Sequence, residues 1–271
     1  MNTATFILST GRCGTQWIAA NLAAAGNGAA VVEHEPLHDR YYPRVMLAGN
    51  DPENTGNAAE ILAHCDRIEA ILQDKPYVEC GWPAWGAIPY LLQRFSGRIK
   101  IVHLVRHPVP VACSWVSHRA FCPPVIVGQP GFREKILASP FDDGTTFTHY
   151  RDAWGGMNPY EKSLFFWLEV NALGLRLETD SGVPWLRIRF EDLFCGNALQ
   201  DLADFLGHAA GGDLLGAALD VNKDEYRHVC DSWWNPQHIR RQPDVIAVAE
   251  RLGYDPLDFD ELKLRNRYFP F

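Results

Sequence analysis

The sequence has no surplus of basic charge: 25 Lys and Arg stand against 33 Asp and Glu, a formal net charge of −8. Nucleic acid is therefore not an expected partner, because phosphate contacts need a basic surface. No window approaches the roughly 18 apolar residues of a membrane span, so no membrane partner is expected either. The opening MNTATFILST lacks the charged start and long apolar stretch of a secretory signal. The seven cysteines, Cys13, Cys65, Cys80, Cys113, Cys122, Cys195 and Cys230, contain no CxxC spacing. An odd count without framework spacing excludes a disulfide scaffold and a cysteine-held zinc, and it suits a reducing, cytoplasmic location. There is no repeat and no linker. A chain of 271 residues with 47% hydrophobic composition is then read as one domain over 1–271.

Apolar, β-rich runs recur near Thr5–Ser9, Ala30–His34, Tyr77–Cys80, Lys100–Val105 and Trp185–Arg189, with helical stretches between them. This alternation predicts an α/β fold, a three-layer α/β/α arrangement around a central, mostly parallel sheet. Tyr160 to about Asp180 is predicted to be a helix that supplies core packing through Leu164, Trp167 and Leu168. The stretch 121–158 is rich in Pro, Gly and aromatics and has no periodicity, so it is read as a lid or acceptor loop. Trp82, Trp85 and Trp154 are candidates to stack on a sugar or aromatic acceptor, against a more ordinary role in packing.

The most informative segment is FILSTGRCGTQWIAAN, Phe6 to Asn21. A strand runs into a glycine-flanked basic turn and then a helix, with Gly11 and Gly14 allowing close approach of the backbone to a ligand. The N–H groups of Thr15 and Gln16 open the helix and suit a phosphate or sulfate. Arg12 adds a permanent charge and Thr15 a hydroxyl. A Walker A loop would need Lys and then Ser or Thr after the second Gly, but Gly14 is followed by Thr15 and Gln16. A cysteine phosphatase loop would need Arg six residues after Cys13, where Ala19 stands.

The segment IKIVHLVRHPVPVACSW repeats the style. Pro108 suits the first helical position. Arg106 falls at the carboxyl end of a central strand, where open α/β sheets place their ligands, and Ser114 follows eight residues later in the helix.

These two segments resemble known motifs. GRCGTQWI is similar to the 5′-phosphosulfate loop, and HLVRHPVPVACSW to the 3′-phosphate motif, of the sulfotransferases that use 3′-phosphoadenylyl sulfate, in that family's order and spacing. WLRIRFEDL, Trp185–Leu193, resembles the strand and acidic turn that ends its core sheet. The resemblance implies the P-loop-like sulfotransferase fold of bacterial cytosolic or carbohydrate-type members. It also implies that Arg12 grips the bridging and sulfuryl oxygens while Cys13, Gly14, Thr15 and Gln16 surround the 5′-phosphate. Arg106 and Ser114 would bind the 3′-phosphate of the donor and of its product, adenosine 3′,5′-bisphosphate. The family's RKGxxG segment is absent, and Arg240 with Arg241 is the nearest basic pair to stand in for it.

An acceptor hydroxyl must lose its proton as sulfur is attacked, so a positioned carboxylate or imidazole is expected nearby. In VVEHEPLHDRYY, Glu35 before Pro36 suits a strand end, and the Glu-Pro pair resembles the carbohydrate-type members, whose base is that Glu. Glu35 is the expected base, with His34 and Glu33 behind it. Strand alternation would put Glu33 and Glu35 on one face and His34 on the other. The stretch His34–His38 also spells H-E-x-x-H, a zinc site only on a helix, and Pro36 argues for extended chain instead. The expected activity is sulfuryl transfer to a carbohydrate or small-molecule hydroxyl without a metal. The alternatives are a P-loop small-molecule kinase and a non-catalytic nucleotide-binding relative.

Overall fold

The computed structural model describes residues 1–25, 28–38, 58–123, 136–194, 198–207 and 231–269. Cys195, Cys230 and the 124–135 part of the expected lid lie outside the described residues. Five strands form one sheet: β1 (Ala4–Leu8), β2 (Val31–His34), β3 (Tyr77–Cys80), β4 (Ile99–Val105) and β5 (Trp185–Arg189), in the order β2-β3-β1-β4-β5. Every pair is parallel. The sequence therefore located all five strands and the helix-flanked parallel sheet.

Burial follows position in the sheet. β1, at the centre, is buried at all of its residues, as is β3, whereas the edge strands β2 and β5 are largely half-exposed. A parallel strand covered on both faces reads as a continuous apolar run, which ATFIL and YVEC nearly are. Glu79 is the exception, and its carboxylate accepts from His64 Nε2 at 2.9 Å.

The chain divides into two compact units, Met1–Val105 with Leu173–Asn222, and Arg106–Ala172 with Lys223–Phe271. The first holds the sheet together with α1 (Thr15–Ala25), α2 (Ala58–Asp74) and α3 (Ile88–Arg94). Helix α2 buries Ile61, His64, Cys65, Ile68 and Leu72, the stripe expected of a helix with one face on a core. From β1 the chain goes on to β2 at one edge of the sheet, and from β4 to β5 at the other. The carboxyl ends of β1 and β4 thus mark the topological switch point, where such sheets bind ligands.

The second unit contains α4 (Pro108–Ser117) and most of α5 (Pro159–Asp180), followed after the first unit's α6 (Ala198–Leu206) by α7 (Pro243–Arg251) and α8 (Glu261–Tyr268). Pro108 does open α4, and His107 caps it, its Nδ1 accepting from the Val109 N–H at 3.2 Å. Residues 136–158 belong to the stretch expected to be a lid or acceptor loop. Two short 3-10 turns, Thr148–Arg151 and Trp154–Gly156, shape the segment. The buried Glu169 carboxylate on α5 accepts from the Thr146 and Phe147 N–H groups at 2.8–3.1 Å. Trp154 packs edge-on against Phe165 at 5.2 Å and is half-buried, as is Trp82, whereas Trp85 is buried.

Cys13, Cys65, Cys80, Cys113 and Cys122 are free thiols, all buried. Burial pushes the Cys65 thiol up to about 12 and raises those of Cys80 and Cys113 as well. A buried thiol in its protonated form is a poor nucleophile. These five of the seven cysteines are expected to resist a thiol-labelling reagent in the native protein and to react once it is unfolded, as mass spectrometry of labelled peptides would register.

Candidate active site

The turn after β1 is built from left-handed backbone. Gly11, Arg12 and Gly14 have φ of 69°, 58° and 81°. Glycine adopts this region freely, but Arg12 does so at a cost of about 1–2 kcal/mol. Hydrogen bonds within the turn offset that cost: Ser9 Oγ accepts from the Gly11 N–H at 2.9 Å, and Cys13 Sγ donates to the Gly11 carbonyl at 3.0 Å. The side chains of Ser9, Thr10 and Cys13 are buried beneath the turn. Cys13 therefore offers a ligand its backbone and not its sulfur. Behind Gly14 stands Phe190, whose Cε2 would lie 3.0 Å from any added Cβ.

Helix α1 begins at Thr15, and its first internal bond runs from the Ile18 N–H to the Gly14 carbonyl at 3.0 Å. The N–H groups of Thr15 and Gln16 precede that bond and have no carbonyl within the helix to meet. Gln16 is exposed. Left-handed turns that gather N–H groups ahead of a helix start suit an anion such as phosphate or sulfate.

The end of β2 meets this helix start. His34 Nε2 lies 3.2 Å from Thr15 Oγ1 and 3.6 Å from Glu35 Oε1. This corrects the expectation that alternation would separate His34 from Glu35. The strand stops at His34, and Glu35 turns left-handed at φ 48°, which swings its carboxylate back to the imidazole. Glu35 still follows the sheet, donating its N–H to the Cys80 carbonyl at 3.1 Å, and Gly81 gives it room. The strand end and the left-handed residue also keep His34 and His38 off any common helix, so the H-E-x-x-H geometry does not form. Burial lowers the His34 pKa, the Glu35 charge opposes that shift, and His38 adds to it.

Glu33 belongs to a different arrangement. Arg67 Nη1 meets its Oε1 at 2.9 Å, Arg67 Nη2 pairs with its Oε2, and the Tyr77 hydroxyl lies 2.8 Å from Oε2. Burial pushes its carboxyl up, but the bonds from Arg67 and Tyr77 with the Arg67 charge outweigh this and hold it below its ordinary value. Glu33 ties the edge strand to α2 and β3.

The remaining expected residues lie in the second unit. Arg106, which follows Val105 directly, donates from Nη2 to the Tyr268 hydroxyl on α8 at 3.2 Å. Its carbonyl accepts from Trp167 Nε1 at 2.9 Å. Ser114 is buried within α4. Arg240 and Arg241 end a 3-10 turn, Pro236–Arg241. Arg240 Nε donates to Gln237 Oε1 at 3.2 Å, and Arg241 Nη1 sits 3.6 Å from Glu161 Oε1. The structure thus joins Thr15, His34 and Glu35 through side chains and Arg12, Cys13, Gly14 and Gln16 through one turn. Tyr268, Gly81 and Phe190 were missed from sequence, because each acts across a long stretch of chain on a residue that no local pattern pairs with it.

Gly81→Ala tests how tightly Glu35 is seated, since the new Cβ would lie 2.7 Å from Glu35 Cγ and 3.3 Å from its Cα and N. Overpacking of this kind costs about 1–3 kcal/mol, and urea unfolding should show that loss. A crystal structure of the variant is expected to show Glu35 moved away from His34.

No family model matches the chain, and no curated protein matches its sequence. Solved structures do match it. The sulfotransferase domain from the curacin biosynthetic pathway is 17% identical, with a TM-score of 0.51 over 94% of this chain and 98% of that one. The sulfotransferase domain of the Synechococcus PCC 7002 olefin synthase is 22% identical, with a TM-score of 0.52 over 94% and 95%. A sulfotransferase from Alicyclobacillus acidocaldarius is 14% identical, with a TM-score of 0.50 over 98% and 99%. The likeness extends over nearly the whole of each chain and lies in the path of the backbone. With its parallel sheet and flanking helices, the chain has the sulfotransferase fold.

Proposed function

We propose that the protein is a sulfotransferase that moves a sulfuryl group from 3′-phosphoadenylyl sulfate to an acceptor hydroxyl by in-line displacement. The observation that carries this reading is the meeting of the anion-suited turn and a carboxylate: Thr15 and Glu35 both approach His34 Nε2, at 3.2 and 3.6 Å. The sulfotransferase fold supports it.

In this reading the acceptor oxygen forms a bond to sulfur while the bond from sulfur to the bridging phosphate oxygen breaks. The acceptor proton passes to the Glu35 carboxylate. Arg12 and the N–H groups of Thr15 and Gln16 stabilise charge on the leaving phosphate and the sulfuryl oxygens, and adenosine 3′,5′-bisphosphate departs. Cys13 and Gly14 contribute backbone to the same turn. Arg106 and Ser114 are proposed for the 3′-phosphate, the group that separates this donor from ATP, with Arg240 and Arg241 as further basic partners. A sulfuryl group carries less negative charge than a phosphoryl group, and the turn has no Lys-Ser/Thr pair for magnesium, so the proposed transfer runs without a metal. The acceptor is a carbohydrate or small-molecule hydroxyl met in the cytoplasm.

Two substitutions separate binding from transfer. Arg106→Ala is expected to weaken adenosine 3′,5′-bisphosphate by about 1.5–3 kcal/mol, the worth of charge-assisted hydrogen bonds. Tyr268→Phe, which removes only the hydroxyl that holds Arg106, should cost about 0.5–1.5 kcal/mol. Glu35→Gln should still bind the nucleotide yet lose transfer of radiolabelled sulfate from the donor to a screened acceptor. Unchanged affinity in Arg106→Ala would remove that residue from the site.

A further inference from the structure

We propose that His34 is a positioning residue that couples occupancy of the turn after β1 to the Glu35 carboxylate through a single proton on Nε2. The proposal rests on the reading of that turn as the site of the donor's 5′-phosphosulfate. One nitrogen faces two groups: Nε2 is 3.2 Å from Thr15 Oγ1 on α1 and 3.6 Å from Glu35 Oε1 beyond β2. Among the described residues, Glu35 and His38 act electrostatically on the ring.

Burial favours the neutral imidazole, which has one proton to place on Nδ1 or Nε2. If Nε2 is bare, the Thr15 hydroxyl must point its proton at it, and Glu35 then faces a lone pair. If Nε2 carries the proton, it donates to Thr15 Oγ1 and presents positive charge toward Glu35. The Thr15 proton is then released to point elsewhere.

An anion in the turn decides between these states. Thr15 is the first residue of α1, and an anionic oxygen at the helix start accepts a hydrogen bond from its hydroxyl. Thr15 Oγ1 can then only accept from His34, so Nε2 must carry the proton. That same proton faces the carboxylate proposed to receive the acceptor's proton. Loading of the donor thereby favours an ionised, oriented Glu35, and departure of the product relaxes it. Linkage makes the coupling reciprocal: whatever favours the Nε2–H form also favours the anion.

The probe is adenosine 3′,5′-bisphosphate, added to the full chain labelled with nitrogen-15 in histidine, above the usual imidazole titration range. The expected result is that His34 Nε2 moves to the protonated-type resonance and Nδ1 to the unprotonated type as the ligand saturates. His34→Ala should bind the bisphosphate about tenfold more weakly, the upper worth of one neutral hydrogen bond. His34→Gln, whose amide nitrogen can stand in for Nε2–H, should recover most of that loss. Wild-type binding with His34 resonances unmoved, or with His34→Ala binding as tightly as wild type, would overturn the coupling while leaving the reading of the turn intact. Recovery absent in His34→Gln, with that variant folded, also counts against it. If the wild-type chain does not bind the bisphosphate, the reading of the turn fails and the coupling fails with it.

Discussion

The left-handed backbone at Gly11, Arg12 and Gly14 is the constraint on which the rest of the site depends. β1 is the central strand and wholly buried, so the chain must leave the sheet and enter α1 without exposing that strand or breaking the parallel register of its neighbours. Gly11, Arg12 and Gly14 make the change of direction with positive φ, and Arg12 does so without glycine's freedom. Bonds from Ser9 and Cys13 back onto Gly11 hold the turn closed, while Phe190 leaves no space for a side chain at Gly14. Strain of this kind persists where the surroundings over-determine it, as they do in functional turns.

The same device appears again across the sheet edge. Glu35 and His38 have positive φ where β2 ends, and Gly81 at the end of β3 lacks the side chain that would push Glu35 away. Two left-handed turns, one after β1 and one after β2, converge on His34. Meanwhile Glu33, its neighbour along the strand, is anchored by Arg67 and Tyr77, which fixes the edge strand that carries His34. A structural carboxylate and a candidate catalytic one are thus separated by two positions and by opposite environments.

Much of this was legible in the sequence. The five strands fell within a residue or two of their observed bounds, because buried parallel strands are short apolar runs closed by Gly, Pro or a charged turn. Pro108 marked the start of α4, and the glycines marked the first turn. Local pattern failed wherever a distant residue decided the outcome. Alternation assigned Glu35 to the wrong face because it presumes that the strand continues, whereas β2 ends at His34 and Glu35 turns left-handed. The inward turn of Cys13 depends on a sulfur-to-carbonyl bond that motif spacing does not encode. In segment 136–158, read as a loop for its lack of periodicity, the carboxylate that organises Thr146 and Phe147, Glu169, lies on a later helix.

The central claim is that the turn after β1 serves a nucleotide with a 3′-phosphate and no metal. Calorimetric titration of the wild-type chain with adenosine 3′,5′-bisphosphate plus a chelator, beside ATP plus magnesium, tests it most directly. The account predicts that the bisphosphate binds more tightly than ATP and that the chelator makes no difference. Preference for ATP with magnesium, or no binding of the bisphosphate, would contradict it.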